Sequence, residues 1–171
     1  MTVALDGPGV TVADVVAVAR HGADVALTVD ALSRMAESRA VVDALAEGEP
    51  TYGISTGFGA LATVTIPPEK RQALQVALVR SHAAGMGDPV ATEVVRAMMF
   101  LRARTLALGF SGARPETAQR LVDLLNHSIH PIVREHGSLG ASGDLAPLAH
   151  VALALIGEGD VEMDGIIVTA G

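Results

Sequence analysis

Three consecutive residues, Ala141-Ser142-Gly143, are of types that permit a reaction of the backbone itself. The amide nitrogen of Gly143 can attack the carbonyl carbon of Ala141 and close a five-membered imidazolone ring. Loss of water from that ring and from Ser142 then leaves an exocyclic methylene, which is a strong electrophile. Ala141 is small, Ser142 supplies the leaving hydroxyl, and Gly143 has no side chain to obstruct the tight turn. Taken alone the tripeptide is weak evidence, because all three residue types are common.

Other active-site patterns do not fit the sequence. The segment GISTGFG, residues 53–59, lacks the Lys-Ser/Thr ending of a phosphate-binding P-loop. Residues 140–144 lack the second glycine of the serine-hydrolase G-x-S-x-G turn. His127 and His130 are three residues apart, but no His-Glu-x-x-His pattern accompanies them, so no metal site is predicted.

Helices must position two glycine-rich loops, at 52–59 and 137–144. The apolar periodicity and the capping residues predict helices over about 12–20, 30–46, 68–82, 89–108, 115–127 and 145–156. Thr11, Asp88 and Asp144 are the expected N-caps of the first, fourth and last helix, with Pro89 at the first helical position of the fourth. Residues 161–169 contain several β-branched side chains, and this composition predicts a strand. The fold class is therefore mainly α with minor β, in one compact unit over 1–171.

Composition limits the partners. The chain has 12 Lys and Arg against 19 Asp and Glu, a formal charge of −7, which argues against nucleic-acid or membrane-surface binding. It has no cysteine, no secretory signal pattern and no apolar run of membrane-spanning length, so we expect a cytoplasmic protein. The mean hydropathy of +0.42 is high for this size. Either the sequence is simply rich in Ala and Val, or helical faces are covered by partner chains or by a missing portion.

Three separated segments resemble one family. GSLGASGDLAPLAH resembles the electrophile-forming segment of the aromatic amino-acid ammonia-lyases and aminomutases. YGISTGFG resembles the catalytic loop of that family, and RSHAAGMG its substrate-selectivity segment. The segments occur in the family's order, and the similarity extends from about residue 11 to the end of the chain. The resemblance implies the N-terminal helical portion of an ammonia-lyase fold.

The resemblance also implies a prosthetic group and a base. Ala141, Ser142 and Gly143 would become 4-methylidene-imidazole-5-one (MIO), with no external cofactor. Tyr52 would be the loop tyrosine near the β-carbon of the substrate, a candidate base. A tyrosine is a base near neutral pH only where nearby positive charge favours the phenolate. The alternative reading of Tyr52 is a structural hydroxyl in a glycine-rich turn.

The Ser81-His82 pair narrows the range of substrates that the resemblance implies. In the family this pair faces the substrate ring and is typically Phe-Leu in phenylalanine lyases, His-Leu in tyrosine lyases and Ser-His in the lyases that act on histidine. The resemblance therefore implies elimination of ammonia from L-histidine to give trans-urocanate. A neutral imidazole both donates and accepts, which suits His82 to an imidazole substrate, although a helix-end histidine satisfied by the backbone is the alternative. The other histidines have no predicted catalytic role: His21, His127, His130, His136 and His150.

The resemblance covers about the first third of the length of family members. The Asn, Tyr, Arg, Phe and Glu positions that complete the family's site come later in family members and are absent from this chain. Ser55 stands where many members have Asn or Thr. We expect a homotetramer for the complete protein, and no activity from the 171-residue chain alone. Tyr52, His82 and residues 141–143 are predicted to share one pocket in the assembled protein, within or between subunits. The alternatives are a tyrosine or phenylalanine ammonia-lyase or aminomutase, or a non-catalytic fragment that only associates with lyase subunits.

Overall fold

The computed structural model describes residues 1–140 and 143–171. That part of the chain contains six α-helices and seven short strands. The helices are α1 (Val12–His21), α2 (Val29–Ala46), α3 (Pro68–His82), α4 (Thr92–Ala107), α5 (Pro115–Asn126) and α6 (Ala146–Leu155). The strands are β1 (Thr2–Leu5), β2 (Asp24–Leu27), β3 (Met86–Pro89), β4 (Ile129–Pro131), β5 (Arg134–His136), β6 (Asp160–Met163) and β7 (Ile166–Thr169). The mainly α fold class is confirmed.

Helix α1 begins and ends where the sequence predicts. The Thr11 side chain accepts from the backbone N–H of Asp14, and the Asp14 carboxylate accepts from the backbone of Thr11, which makes a capping box. Gly22 follows the helix in the left-handed conformation, with φ of 62°, and its N–H donates to Ala17. Both signals are local, so the sequence alone contains them.

The predicted start of α4 at Asp88-Pro89 is wrong. Residues Met86–Pro89 form β3, which pairs antiparallel with β5, and the helix begins only at Thr92. The Asp-Pro pair is a good helix start locally. Pairing with a strand more than forty residues later, which the local pattern cannot contain, takes these residues into a sheet instead.

Two other boundaries differ from the prediction. Leu145, not Asp144, occupies the N-cap position of α6, although the Asp144 carboxylate still accepts from the N–H of Ala146 at 3.1 Å. The predicted strand at 161–169 is a hairpin of β6 and β7 that turns at Asp164 and Gly165, both with positive φ. Strands β1, β2, β4 and β5 were not predicted, because segments of three or four residues carry little periodicity.

The strands form three small sheets. β1 and β2 pair in parallel, with Leu5 opposite Leu27. β3 pairs with β5, and the third sheet has the order β4-β6-β7, all antiparallel. These sheets lie at the edges of a helical core in which α4 packs against α1 and α5. The largest fully buried side chains there include Phe100, Met99, Met35, Leu121 and Leu125.

A buried arginine crosses this core. Arg96 on α4 is only 6% exposed. Its Nε donates to the carbonyl of Val18 at 3.0 Å, and its Nη1 lies 3.2 Å from the carbonyl of Leu125 and 2.8 Å from Nε2 of His130. One guanidinium therefore joins α4 to α1, α5 and β4.

Helix α3 lies away from this core and packs against α6. Within residues 1–140 and 143–171, none of the helices combines the length and the apolar character required to cross a membrane.

Replacing Arg96 should destabilise the fold strongly. In Arg96→Met the apolar stem is retained, but the carbonyls of Val18 and Leu125 lose a buried donor. We expect the free energy of unfolding to fall by about 2–4 kcal/mol, measured by urea denaturation. Arg102→Met, on the exposed side of the same helix, is the matched control and should change stability by less than about 0.5 kcal/mol. Equal effects of the two substitutions would contradict the role given to Arg96.

Candidate active site

A cavity of about 230 Å³ lies between the C-terminal end of α3 and the segment that precedes α6. Both predicted substrate-binding residues and one residue of the predicted electrophile line this cavity. The described lining residues are Ser81, His82, Ala84, Ser138, Gly143, Leu145 and Ala146. Tertiary packing of α3 on α6 therefore joins the RSHAAGMG segment to the GASGD segment, which are about sixty residues apart in sequence.

The side chains of Ser81 and His82 are fixed by the last turn of α3. Ser81 Oγ donates to the carbonyl of Leu78 at 2.8 Å, and Nδ1 of His82 lies 2.8 Å from the same carbonyl. A carbonyl only accepts, so this contact places a proton on Nδ1, and of the two neutral tautomers it selects the one with Nε2 unprotonated. Nε2 is then an acceptor, and no hydrogen bond to it occurs within the described part of the chain. The alternative reading of His82, a histidine satisfied by its own helix, thus accounts for Nδ1 only.

The loop that contains the predicted electrophile is closed at its base. Gly137 and Asp144 lie so close that a Cβ on Gly137 would be 1.8 Å from Oδ1 of Asp144. A Cβ on Gly143, in contrast, would meet no atom of the described residues within 4 Å. Gly143, which lines the cavity, thus has no close neighbour among the described residues at that position. Ala141 and Ser142, the other two residues of the predicted electrophile, lie outside the described residues.

The second glycine-rich loop holds itself together through one carbonyl. The oxygen of Thr51 accepts from the backbone N–H groups of Ile54, Ser55 and Thr56 at 3.0–3.3 Å. The hydroxyl of Ser55, which is buried, accepts in turn from the N–H of Thr51 at 2.9 Å. Ser55, a departure from the family's usual Asn or Thr, therefore has a structural role in this turn.

Glycine is required at one position in this loop for a steric reason. A Cβ on Gly57 would lie 2.6 Å from Cβ of Leu61 and 3.0 Å from the Leu61 carbonyl oxygen. This close approach lets the chain turn back along itself, so that the N–H of Gly57 donates to the carbonyl of Val64. Arg71 of α3 then ties the returning segment to α2, because it donates to the carbonyls of both Ile66 and Ala46.

Tyr52 is exposed at the start of this loop, with 61% of its surface accessible. Its hydroxyl oxygen accepts weakly from the N–H of Gly59, at 3.4 Å, and its ring meets Phe58 edge to face at 5.9 Å between centroids. Tyr52 is not among the described residues that line the cavity. The single chain thus brings Ser81, His82 and Gly143 together but does not add Tyr52, whose predicted role as base stays a prediction.

Two contacts join the α3 region to the α6 region. Nε of Arg80 donates to Oε2 of Glu158 at 2.8 Å, and this hydrogen bond lowers the pKa of the Glu158 carboxyl. The N–H of Gly85, just beyond α3, donates to Nε2 of His150 on α6 at 3.1 Å. Burial, and secondarily the charge of Arg134, lowers the pKa of His150. Sequence reasoning gave His150 no role, because only the packing of α6 brings its ring to Gly85.

His130, also without a predicted role, belongs to the core and not to the cavity. Its Nε2 faces Arg96, while its buried Nδ1 has no hydrogen-bond partner among the described residues. Burial, followed by the charge of Arg96, lowers the pKa of His130. The ring is therefore neutral near pH 7, with Nε2 as the acceptor.

The chain is similar to proteins of known function over its whole length. A family model described as Aromatic amino acid lyase matches residues 10–171. Histidine ammonia-lyase of Streptomyces coelicolor is 58% identical over 172 residues, which cover 99% of this chain and 34% of that protein. Histidine ammonia-lyase from Trypanosoma cruzi has a TM-score of 0.89 at 36% identity, covering 100% of this chain and 33% of its own. Tyrosine aminomutase from Streptomyces globisporus has a TM-score of 0.91 at 41% identity, covering 99% and 32%. The chain thus spans about a third of the length of these relatives.

A methyl group at Gly137 should disturb the base of the 137–144 loop. In Gly137→Ala the Asp144 carboxylate must turn away, which breaks its hydrogen bond to the N–H of Ala146. We expect the free energy of unfolding to fall by about 1–2 kcal/mol in denaturant titrations, since a lost helix-end hydrogen bond and a local clash add. Gly143→Ala is the matched control for stability and should cost about 0.5 kcal/mol or less, because its Cβ would meet no atom of the described residues within 4 Å. A Gly137→Ala protein as stable as wild type would contradict this close contact.

Proposed function

This chain belongs to the aromatic amino acid lyase family, and we propose that the protein containing it eliminates ammonia from L-histidine to give trans-urocanate. The observation that carries the proposal is the cavity in which Ser81 and His82 face the same space as Gly143. The level of identity to the histidine ammonia-lyase of Streptomyces coelicolor supports the same substrate. Because the chain has about a third of that protein's length, the activity is assigned to the complete polypeptide, meaning the whole gene product that contains this chain.

The described residues around the 137–144 loop fit an MIO group. The order Ala-Ser-Gly is the one that the cyclisation needs, and Gly143 has open space beside its Cα in which a ring can stand. The Gly137–Asp144 contact holds the two ends of the loop together, which would favour the compact turn that the cyclisation needs. When formed, the group supplies an electrophilic carbon that withdraws electrons from the substrate. Gly143 would hold it beside α6, whose positive N-terminal end favours negative charge there.

His82 would recognise the imidazole of the substrate. Its Nδ1 proton is directed at the carbonyl of Leu78, which leaves the Nε2 lone pair to accept from an imidazole N–H. Ser81, held by the same carbonyl, would keep this end of the cavity narrow and polar. A phenyl ring offers no donor to Nε2 and would leave it desolvated and unpaired.

Tyr52 would remove the proton from the β-carbon of the substrate. In one chain this tyrosine does not line the cavity and is largely exposed, so assembly must bring it there, within or between subunits. Burial of the site on assembly would also exclude water, which strengthens every polar interaction inside it.

We propose that the complete enzyme is a homotetramer in the cytoplasm. An apolar depression of about 450 Å³ on α4 and α6 supports extensive assembly, because it exposes hydrophobic side chains that a soluble surface does not need. Its described lining is Val94, Ala97, Met98, Leu101, Arg102, Thr105 and Leu148. The absence of cysteine fits a reducing compartment.

A tyrosine aminomutase is the second candidate, favoured by the structural similarity to the enzyme from Streptomyces globisporus. It shares the fold and the same stretch of chain. The Ser81-His82 pair favours the first proposal through the family pattern, in which Ser-His accompanies histidine and His-Leu accompanies tyrosine. The Nε2 acceptor alone does not separate them, because a phenol hydroxyl can donate to it as well. Product analysis separates them directly: a lyase releases ammonia, whereas an aminomutase returns it to the β-carbon.

Ser142→Ala should abolish ammonia release by the complete polypeptide and leave its fold and assembly nearly unchanged. The substitution removes the hydroxyl whose loss makes the methylene but deletes only one oxygen. Mass spectrometry of the peptide over 137–145 should find the wild type two water molecules lighter than its sequence and the variant unmodified. Retained activity in Ser142→Ala would exclude the proposed electrophile.

Replacing Ser81-His82 with Phe-Leu should weaken the preference for histidine. We expect kcat/KM for histidine to fall by about 10- to 100-fold, which corresponds to about one or two lost hydrogen bonds in a desolvated site. Turnover of phenylalanine should rise relative to histidine in the same assay. Equal turnover of histidine, tyrosine and phenylalanine by the unmodified enzyme would contradict the role of His82.

A further inference from the structure

The N–H of Gly85 and the ring of His150 make a close contact between the substrate-side end of α3 and the middle of α6. The N–H donates to Nε2 at 3.1 Å. A Cβ on Gly85 would lie 2.9 Å from Nε2 and 3.1 Å from Cβ of Arg134, so a residue with a side chain could not approach so closely. Since a backbone N–H only donates, Nε2 of His150 must be unprotonated.

This contact sits between the two halves of the candidate site. Gly85 is three residues after His82, with the cavity-lining Ala84 next to it. His150 is on the helix that begins directly after the 137–144 loop, and Ala146, one turn earlier on that helix, lines the cavity as well. A hydrogen bond here sets the distance between the substrate-facing pair and the electrophile loop.

We propose that His150 is a positioning residue, whose neutral ring fixes Gly85 and thereby holds Ser81 and His82 at the correct distance from the 137–144 loop. The part that concerns catalysis rests on the proposed function. The contact itself does not, because it is a property of the folded chain.

The contact is lost when His150 is protonated. Burial and the charge of Arg134 on β5 hold the pKa of His150 below its ordinary value of 6.5. The hydrogen bond is therefore complete above pH 6.5 and is lost as the pH falls through the lowered pKa of the folded state. The charged and titratable groups of α3 are Glu69, Lys70, Arg71, Arg80 and His82, and of these Arg80 is paired with Glu158.

The test uses the complete polypeptide with a matched pair of substitutions. His150→Gln places an amide oxygen near Nε2 as a non-titrating acceptor, whereas His150→Met has a similar shape without one. His127→Gln, on an exposed histidine, controls for the loss of a histidine elsewhere. Hydrogen exchange at the Gly85 amide, resolved by mass spectrometry, reports the contact without any need for activity. We expect exchange at least about tenfold faster in His150→Met, and near-wild-type exchange in His150→Gln and His127→Gln.

Steady-state kinetics with histidine report the positioning role. We expect KM to rise by about tenfold in His150→Met with kcat changed less than about twofold, and His150→Gln to recover most of the loss. In wild type KM should also rise below pH 6.5, and this part of the profile should be weaker in His150→Gln, which retains His82. Adding His150→Met to His82→Leu should cause little further rise in KM if His150 acts through His82.

Three outcomes would overturn the proposal. The first is unchanged Gly85 exchange in His150→Met, which would show that the contact does not hold the amide. The second is an equal rise of KM in the Gln and Met variants, which would indicate that the ring acts by packing and not as an acceptor. The third is a pH profile of KM that is the same in wild type and His150→Gln. If even the wild type releases no ammonia from histidine, the proposed function fails and the positioning role with it, while Gly85 exchange still decides whether the contact exists.

Discussion

The guanidinium of Arg96 is the point on which the helical core depends. Burying a charge is costly unless every donor finds an acceptor, and no carboxylate in the described part of the chain forms an ion pair with this arginine. Its acceptors are instead the carbonyls of Val18 and Leu125 and the ring of His130. Both carbonyls belong to the last turns of their helices, where carbonyls lack helical partners and where the helix dipole is negative. The charge is thus stabilised by the negative ends of two helices.

This arrangement fixes α1, α5 and β4 around α4, and the candidate site is built on what they support. Helix α6 contacts α5 and β4, and α3 in turn packs against α6. The cavity therefore lies at the outer margin of the core, not within it. That location explains why Ser81 and Leu145, which line the cavity, are exposed. The separate apolar depression on α4 near Leu148 is uncovered as well. Because the cavity lies at the outer margin of the core, the segments or subunits that pack against this margin complete the site.

The two glycine-rich loops are held in different ways. The 51–66 loop supplies its own hydrogen bonds through the Thr51 carbonyl and the Ser55 hydroxyl, and Arg71 anchors it to two helices. The 137–144 loop is constrained at its base, where Gly137 meets Asp144, while Gly143 borders open space. A loop with its own hydrogen bonds can present Tyr52 to a partner as a rigid unit.

The sequence by itself determined the helices and the identity of the chemically interesting residues, because both depend on local information. The capping box at Thr11, the left-handed Gly22 and the apolar stripe of α5 are properties of a few adjacent residues. Only the tertiary structure decided that residues 86–89 pair as a strand with 134–136, and that His150 reaches Gly85. It also decided that Ser81 and His82 share a cavity with Gly143 while Tyr52 does not line it. Each of these depends on contacts between segments distant in sequence, whose free energy comes from burial and pairing that no local pattern of residues records.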